Sequence, residues 1–172
     1  MTAKSHRPPS DHVLRRGELE VLPLKTLVHQ HNAAAVRHST CLTDPLGFED
    51  LGVHLVHLKP GDLSSEHHFH EVDEEFLYLL SGRAVAWIGE ESFEVAAGDF
   101  LGFPKGSPAH HLHNPYDQDV VYLVGGTRAP IDVCNYPRKG LRQYRIFGQR
   151  EFVRVEDVQA VPSGTPGSRS NR

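Results

Sequence analysis

The sequence predicts an all-β fold, a single domain built as a sandwich or barrel, and three observations carry that expectation. Turn signals recur every few residues, at Pro60-Gly61-Asp62, Ser81-Gly82, Gly89-Glu90, Gly98-Asp99, Lys105-Gly106, Asn114-Pro115 and Gly125-Gly126. Helices of ordinary length do not fit between them. The intervening runs are short and rich in β-branched or aromatic residues, the pattern of many short strands. Finally, 172 residues correspond to one domain at roughly 150 residues per domain. A chain of this size buries roughly 70% of its unfolded surface, so its folding need not depend on a metal.

The elements follow in order. Residues 1–15 are polar and proline-bearing and are expected to form a flexible tail, residues 16–160 the domain, and the Gly/Ser/Pro-rich residues 161–172 a second tail. Residues 33–36, Ala-Ala-Ala-Val, are the one place with plausible helix propensity. Strands are predicted over residues 53–58, 75–80, 84–88, 93–96, 100–103 and 120–124, with one or two terminal strands inside 141–158. Gly82, Gly98 and Gly106 are expected at turns with positive φ, and Pro104 at an edge or strand start. Within the run from residue 75, Leu77 and Leu79 share parity with Glu75, and Phe76, Tyr78 and Leu80 share the other. One set should line the interior and the other should pack on a second sheet or a partner subunit.

Composition narrows the function. Lys+Arg 18 against Asp+Glu 22 gives a formal net charge of −4 with the basic residues scattered, which disfavours nucleic acid. Cys41 and Cys134 lie far apart without C-x-x-C spacing, which excludes a disulfide framework and fits a reducing, cytoplasmic setting. Neither cysteine has an adjacent base, so a thiol nucleophile is not expected. No apolar run approaches the roughly 20 residues that span a bilayer, and no signal peptide is visible; no membrane partner is expected.

Of 13 histidines, six fall in two groups: His67, His68 and His70, then His110, His111 and His113. In a strand, alternate side chains share a face, so His68 and His70 point one way while His67 and Phe69 point the other. Two imidazoles at i and i+2 can grip one ion. Glu75, if it heads the next strand, can fold its carboxylate toward the same face, and the second cluster, around His110, can supply a fourth ligand. Imidazoles with one carboxylate suit a divalent transition metal (Mn, Fe, Co, Ni, Cu or Zn) better than Mg or Ca. Singly, His54, His57 and His113 read as structural or surface side chains, and His29, His31 and His38 carry no visible constellation. The acidic run Asp73-Glu74-Glu75 reads as a solvated loop apart from Glu75.

At these residues the sequence resembles the cupins. Gly61, His68, His70, Glu75 and Gly82 are similar to the first cupin motif, and Gly98, Pro104, Gly106, His110 and Asn114 to the second. One extra residue precedes each histidine of the motif, in loops where insertions are tolerated. Register therefore leaves His67 beside His68 and His111 beside His110 as alternatives; His110 places Asn114 at the family spacing. The flanks, residues 52–56 and 122–128, resemble small bacterial single-domain cupins, some described as sugar-phosphate-isomerase-like. The resemblance implies a cupin-type double-stranded β-helix, or jelly-roll barrel, with His68, His70, Glu75 and His110 as metal ligands.

Such a centre leaves positions for water or a chelating substrate. The first functional expectation is a metal-dependent enzyme acting on a small carbohydrate or a hydroxy or keto acid, as an isomerase, lyase or hydrolase. The catalytic base is not identified by the sequence; His57, Tyr122 and Tyr136 are candidates by position, and Tyr136 could equally be a packing residue. An iron-dependent dioxygenase and a non-catalytic small-molecule binding or sensor protein are the alternatives. Arg128 is more readily a salt-bridge partner than an anion site. The expected partner is a small oxygen-rich substrate, and apolar surface at Phe76 and Tyr78 suggests a homodimer.

Overall fold

A computed structural model describes residues 8–159. The proposed tail residues 1–7 and 161–172 lie outside the described residues; residues 9–12 form a single 3-10 turn. The strands are β1 (Lys25–His29), β2 (Asn32–Cys41), β3 (Leu51–Leu58), β4 (Phe69–His70), β5 (Glu75–Ser81), β6 (Arg83–Ile88), β7 (Glu91–Ala96), β8 (Phe100–Phe103), β9 (His110–His113), β10 (Val120–Thr127), β11 (Ile131–Tyr136), β12 (Leu141–Ile146) and β13 (Gln149–Arg154). Among the described residues the α-helix content is a four-residue turn, Arg16–Leu19. None of the described helices is long and apolar enough to cross a membrane.

Every pairing is antiparallel. One six-stranded sheet runs β1-β2-β3-β10-β5-β8, a four-stranded sheet β13-β12-β11-β4, and a three-stranded sheet β7-β6-β9. Together they form a jelly-roll β-barrel, the architecture the sequence led us to expect. The core follows the period-2 rule: Val56 and Leu58 of β3, Leu77 and Leu79 of β5, Ala84 and Ala86 of β6, Leu101 and Phe103 of β8, Leu112 of β9, and Val120 and Tyr122 of β10 meet inside. Leu77 and Leu79 thus line the interior, while Tyr78 and Leu80 remain exposed.

Two glycines are required by close approach. At Gly82, φ is 80°, and a Cβ would sit 2.6 Å from the carbonyl oxygen of Asp119, so the β5–β6 turn admits no other residue without strain. At Gly125 a Cβ would sit 2.4 Å from the ring of Phe76, which therefore lies flat over β10 and stacks on Phe100 at 5.6 Å.

The helix expected near residues 33–36 is absent. This stretch belongs to β2, where Val36 pairs with Val28 of β1 and Ala35 is buried. Pairing and burial of a half-apolar strand outweigh alanine's modest intrinsic preference. The acidic run also departs from the solvated loop. Asp73 is buried, accepts hydrogen bonds from the Thr127 hydroxyl (3.1 Å) and the Ala129 N–H (2.8 Å), and pairs with Arg145.

Candidate metal centre

The histidine groups lie where the sheets meet. His68 and His110 form an isolated antiparallel bridge between them, β4 pairs with β11 through His70↔Cys134, and Glu75 heads β5. The four-stranded sheet therefore contributes His70, the six-stranded sheet Glu75 and the three-stranded sheet His110, with His68 on the bridge joining them.

Backbone and carboxylate acceptors set the orientation of each ring. His68 Nδ1 donates to the Glu66 carbonyl at 2.9 Å, His110 Nδ1 to the Pro108 carbonyl at 3.1 Å, and His70 Nδ1 to Asp132 Oδ2 at 2.6 Å. An oxygen that can only accept requires the proton on Nδ1, which leaves the Nε2 lone pair of each neutral ring free to point elsewhere. The His68 ring centroid lies 5.1 Å from that of His70 and 5.0 Å from that of His110. Phe103 lies flat on His110, with centroids 3.5 Å apart and planes 2° from parallel.

His110 Nε2 is buried and has no hydrogen-bond partner. It faces Glu75 Oε1 at 3.6 Å, too long for a hydrogen bond. A buried lone pair held against a carboxylate oxygen is unfavourable unless something positive lies between them. This is the strongest structural sign that the residues fit a cation.

Three groups of donors lie within 4.8 Å of one another: His68, Glu75 and His110; His68, His70 and Cys134; and His70, Asp73 and Asp132. Their chemistry separates them. Burial pushes the Cys134 thiol up to about 12, so it is a protonated, poor ligand. In the third group the Asp132 and Asp73 carboxylates are already bonded to His70 and Arg145. The first group retains an unpartnered lone pair, and His70 adjoins it through His68 rather than lying equally near all three donors.

The electrostatics prepare the same group for a positive charge. Burial works against ionised Glu75, but the imidazoles of His110, His68 and His70 outweigh it and hold its pKa at about 2. Burial also brings His68 down to about 3, so it is neutral and available to ligate. At His70 burial opposes the proton, yet the hydrogen bond and charge of Asp132 prevail and raise its pKa.

His67 and His111, the alternatives left by register, face away from this group. Their Nδ1 atoms are 3.0 Å apart, and Trp87 lies parallel to His111 at 6.4 Å. Asn114 is fully buried and bonds the Leu58 and Gln118 carbonyls and the Tyr116 N–H, an architectural role.

A cavity of about 680 Å³ opens beside the donors. His68, His70 and Glu75 line it, together with His29, Arg37, His54, Asp73, Arg128, Asp132, Cys134, Tyr136, Arg145, Arg150 and Phe152. Of the proposed catalytic candidates, Tyr136 lies in this wall, 6.1 Å from the His68 ring between centroids. Tyr122 is buried in the core and burial drives its pKa upward. His57 alternates with buried Val56 and Leu58, opposes His38 of β2, and is not part of the cavity wall.

Sequence reasoning missed His29 and His54, both in the wall, and Asp132, which orients His70. A signal for Asp132 existed in Asp132-Val133-Cys134-Asn135-Tyr136, whose alternation reads as a strand with Asp132, Cys134 and Tyr136 on one face. Arg128 does pair, through Nη1 to Asp44 Oδ1 at 2.6 Å, in space that Gly52 leaves open.

Residues 54–126 match the family model for the cupin domain. A candidate sugar phosphate isomerase from Acidithiobacillus ferrooxidans is 33% identical, with a TM-score of 0.86, the match covering 90% of this chain and 99% of that one. A cupin-superfamily sugar phosphate isomerase from Silicibacter pomeroyi is 28% identical, with a TM-score of 0.74, covering 84% and 95%. An oxalate decarboxylase of Arthroderma benhamiae is 40% identical over 75 residues, 40% of this chain. The matches span only 17% of that enzyme and 48% of an uncharacterised Methanocaldococcus jannaschii protein that is 33% identical over 70 residues. The chain belongs to the cupin family.

Proposed function

We propose that this cupin binds one divalent transition metal through His68, His70, Glu75 and His110 and is an isomerase of small carbohydrates or hydroxy or keto acids. The observation that carries the reading is the buried, unpartnered Nε2 of His110 facing Glu75. Likeness to the two sugar phosphate isomerase structures, along nearly their whole length, supports the reaction class.

A bound metal would supply Lewis acidity toward vicinal substrate oxygens. The chain supplies the proton handling. Burial, helped by neighbouring charges, lowers the pKa of His29 and His54, so both are neutral imidazoles that can accept a proton from a carbon beside a carbonyl. Burial drives the Tyr136 phenol upward, so it stays protonated and serves as a hydrogen-bond donor to a substrate oxygen. The cavity volume suits a ligand of this size.

Elemental analysis of untagged protein should find close to one transition metal per chain. A metal-reconstituted assay on aldose–ketose pairs, free and phosphorylated, should show interconversion abolished by His54→Ala together with His29→Ala. Metal-free protein that gains no metal on reconstitution would end the reading. The oxalate decarboxylase likeness favours a second one, cleavage of a small acid; carbon dioxide release from oxalate without isomerisation would select it. Turnover lost without oxygen and restored by iron alone would select a dioxygenase.

We also place the protein in the cytoplasm as a homodimer. Both cysteines are free thiols, and Phe100 is 66% exposed on β8, the edge of the six-stranded sheet, beside Phe76 and Tyr78. Light scattering giving a monomer mass at high concentration would remove the dimer.

A further inference from the structure

The cavity holds four arginines, and they are not equivalent. Arg128 is committed to Asp44, and Arg145 to Asp73 and the Ala129 carbonyl. Arg37 and Arg150 have no hydrogen bond or ion pair from their side chains among the described residues, although both line the cavity. Arg37 sits on β2 between buried Ala35 and Ser39, which places it on the inward face of the six-stranded sheet, where it is half-buried. Arg150 comes from β13 of the four-stranded sheet, one pleat from Phe152, whose ring lines the same cavity. Both guanidinium charges act on Tyr136, and that of Arg37 also on His29, His54 and Tyr122.

The acids of the cavity leave these two cations unanswered. Asp132 is bonded to His70, Asp73 to Arg145, and Glu75 belongs to the histidine group. Glu74 is exposed at the rim. A half-buried guanidinium without a counter-ion costs desolvation that nothing within the chain offsets. Planar N–H forks on two sheets that line one cavity, Arg37 half-buried and Arg150 exposed, suit an oxyanion, and a pair of positive charges suits a dianion better than a monoanion.

We propose that Arg37 and Arg150 form an anion subsite that holds the phosphate group of a small phosphorylated substrate while its other oxygens lie toward His68, His70 and Glu75, which line the same cavity. The proposal rests on the cavity being the substrate site of the reading above, and it narrows the substrate to a phosphorylated carbohydrate. A carboxylate shares the oxyanion chemistry, and the test separates the two.

The test is calorimetric titration of the full chain with inorganic phosphate and, separately, with acetate, on metal-loaded and chelator-treated protein. Phosphate is expected to bind both forms, and acetate at least about tenfold more weakly. Arg37→Gln should weaken phosphate binding about tenfold or more, Arg150→Gln by less because Arg150 is more exposed, and the metal content of both should be unchanged. Arg37→Lys, which keeps the charge and loses the fork, guards against misfolding and should bind with intermediate affinity. Phosphate affinity unchanged in both glutamine variants would overturn the proposal. So would phosphate binding that vanishes with the metal, which places the anion on the ion, and so would acetate binding as tightly as phosphate. A chain that takes up no metal on loading yet binds phosphate would instead count against the metal reading alone.

Discussion

His67 and His68 are neighbours in sequence, as are His110 and His111, yet the two resulting pairs have opposite fates. His67 and His111 face each other away from the core cluster, 3.0 Å apart, and satisfy one another beneath Trp87. His68 and His110 face inward, spend their Nδ1 protons on carbonyls, and leave His110 Nε2 unpartnered against Glu75. The residue type is the same and the backbone segments are the same. What differs is that the second nitrogen of His110 is buried without a partner and faces a carboxylate, and that distinguishes a packing histidine from a candidate ligand.

The comparison breaks most decisively at metal content. His110→Ala or His68→Ala should reduce bound metal from near one per chain to near none, while His67→Ala and His111→Ala should retain it; equal loss in all four variants would erase the distinction. A smaller effect is expected one step out from the ligands. Asp132→Asn weakens the acceptor that orients His70 and should lower metal affinity about 10- to 100-fold, measured by competition with a chromogenic chelator.

Acid should then act alike on His68 of the inner pair and His111 of the outer pair in the metal-free chain. Burial depresses His68 and, together with the charge of His67, His111 to about 3, against 6.5 for a free histidine. Between those values the unfolded chain takes up protons that the folded chain does not, so stability falls as pH drops from about 6.5 toward 3, by about 1.4 kcal/mol per pH unit for each histidine. His70, with its raised value, works oppositely: its contribution is present below 6.5 and is lost as pH rises through its folded pKa. Urea midpoints at pH 7 and pH 5 should show the decline, and His111→Gln should reduce its slope. Midpoints that do not move would show that His68 and His111 are not held neutral when folded. The smallest effect belongs to the outer pair: His67→Ala strands the His111 Nδ1 in a buried site and should cost about 1–3 kcal/mol in denaturant unfolding.

Much of the barrel was legible because glycine and proline punctuate it. Strand β8 matches its expected span, and β3, β5, β6, β7 and β10 each extend theirs by one to three residues at one end. The shared parity of Glu75, Leu77 and Leu79 was readable for the same reason, and the burial of Leu77 and Leu79 shows that this set faces inward. β1 and β2 were not, since an alanine run lacks the β-branched signature and takes its strand form from a partner distant in any local window. At the site, His68, His70, Glu75 and His110 are candidates on strand alternation and the cupin resemblance, whereas His29 and His54 are not, and for Asp132 the sequence offers only the face it shares with Cys134 and Tyr136. The contact joining residue 70 to residue 132 is made between neighbouring strands 62 residues apart in sequence, and a local window does not encode that pairing. Asp73 misled for a related reason: its counter-ion, Arg145, lies on β12.

Because the donors come from three different sheets, an ion held by them would act as a rivet through the seams of the barrel. Occupancy would then be felt as rigidity far from the chemistry: amide exchange in β4 and β9, short strands with few ladder partners, should slow on loading by more than in the hairpin of β12 and β13.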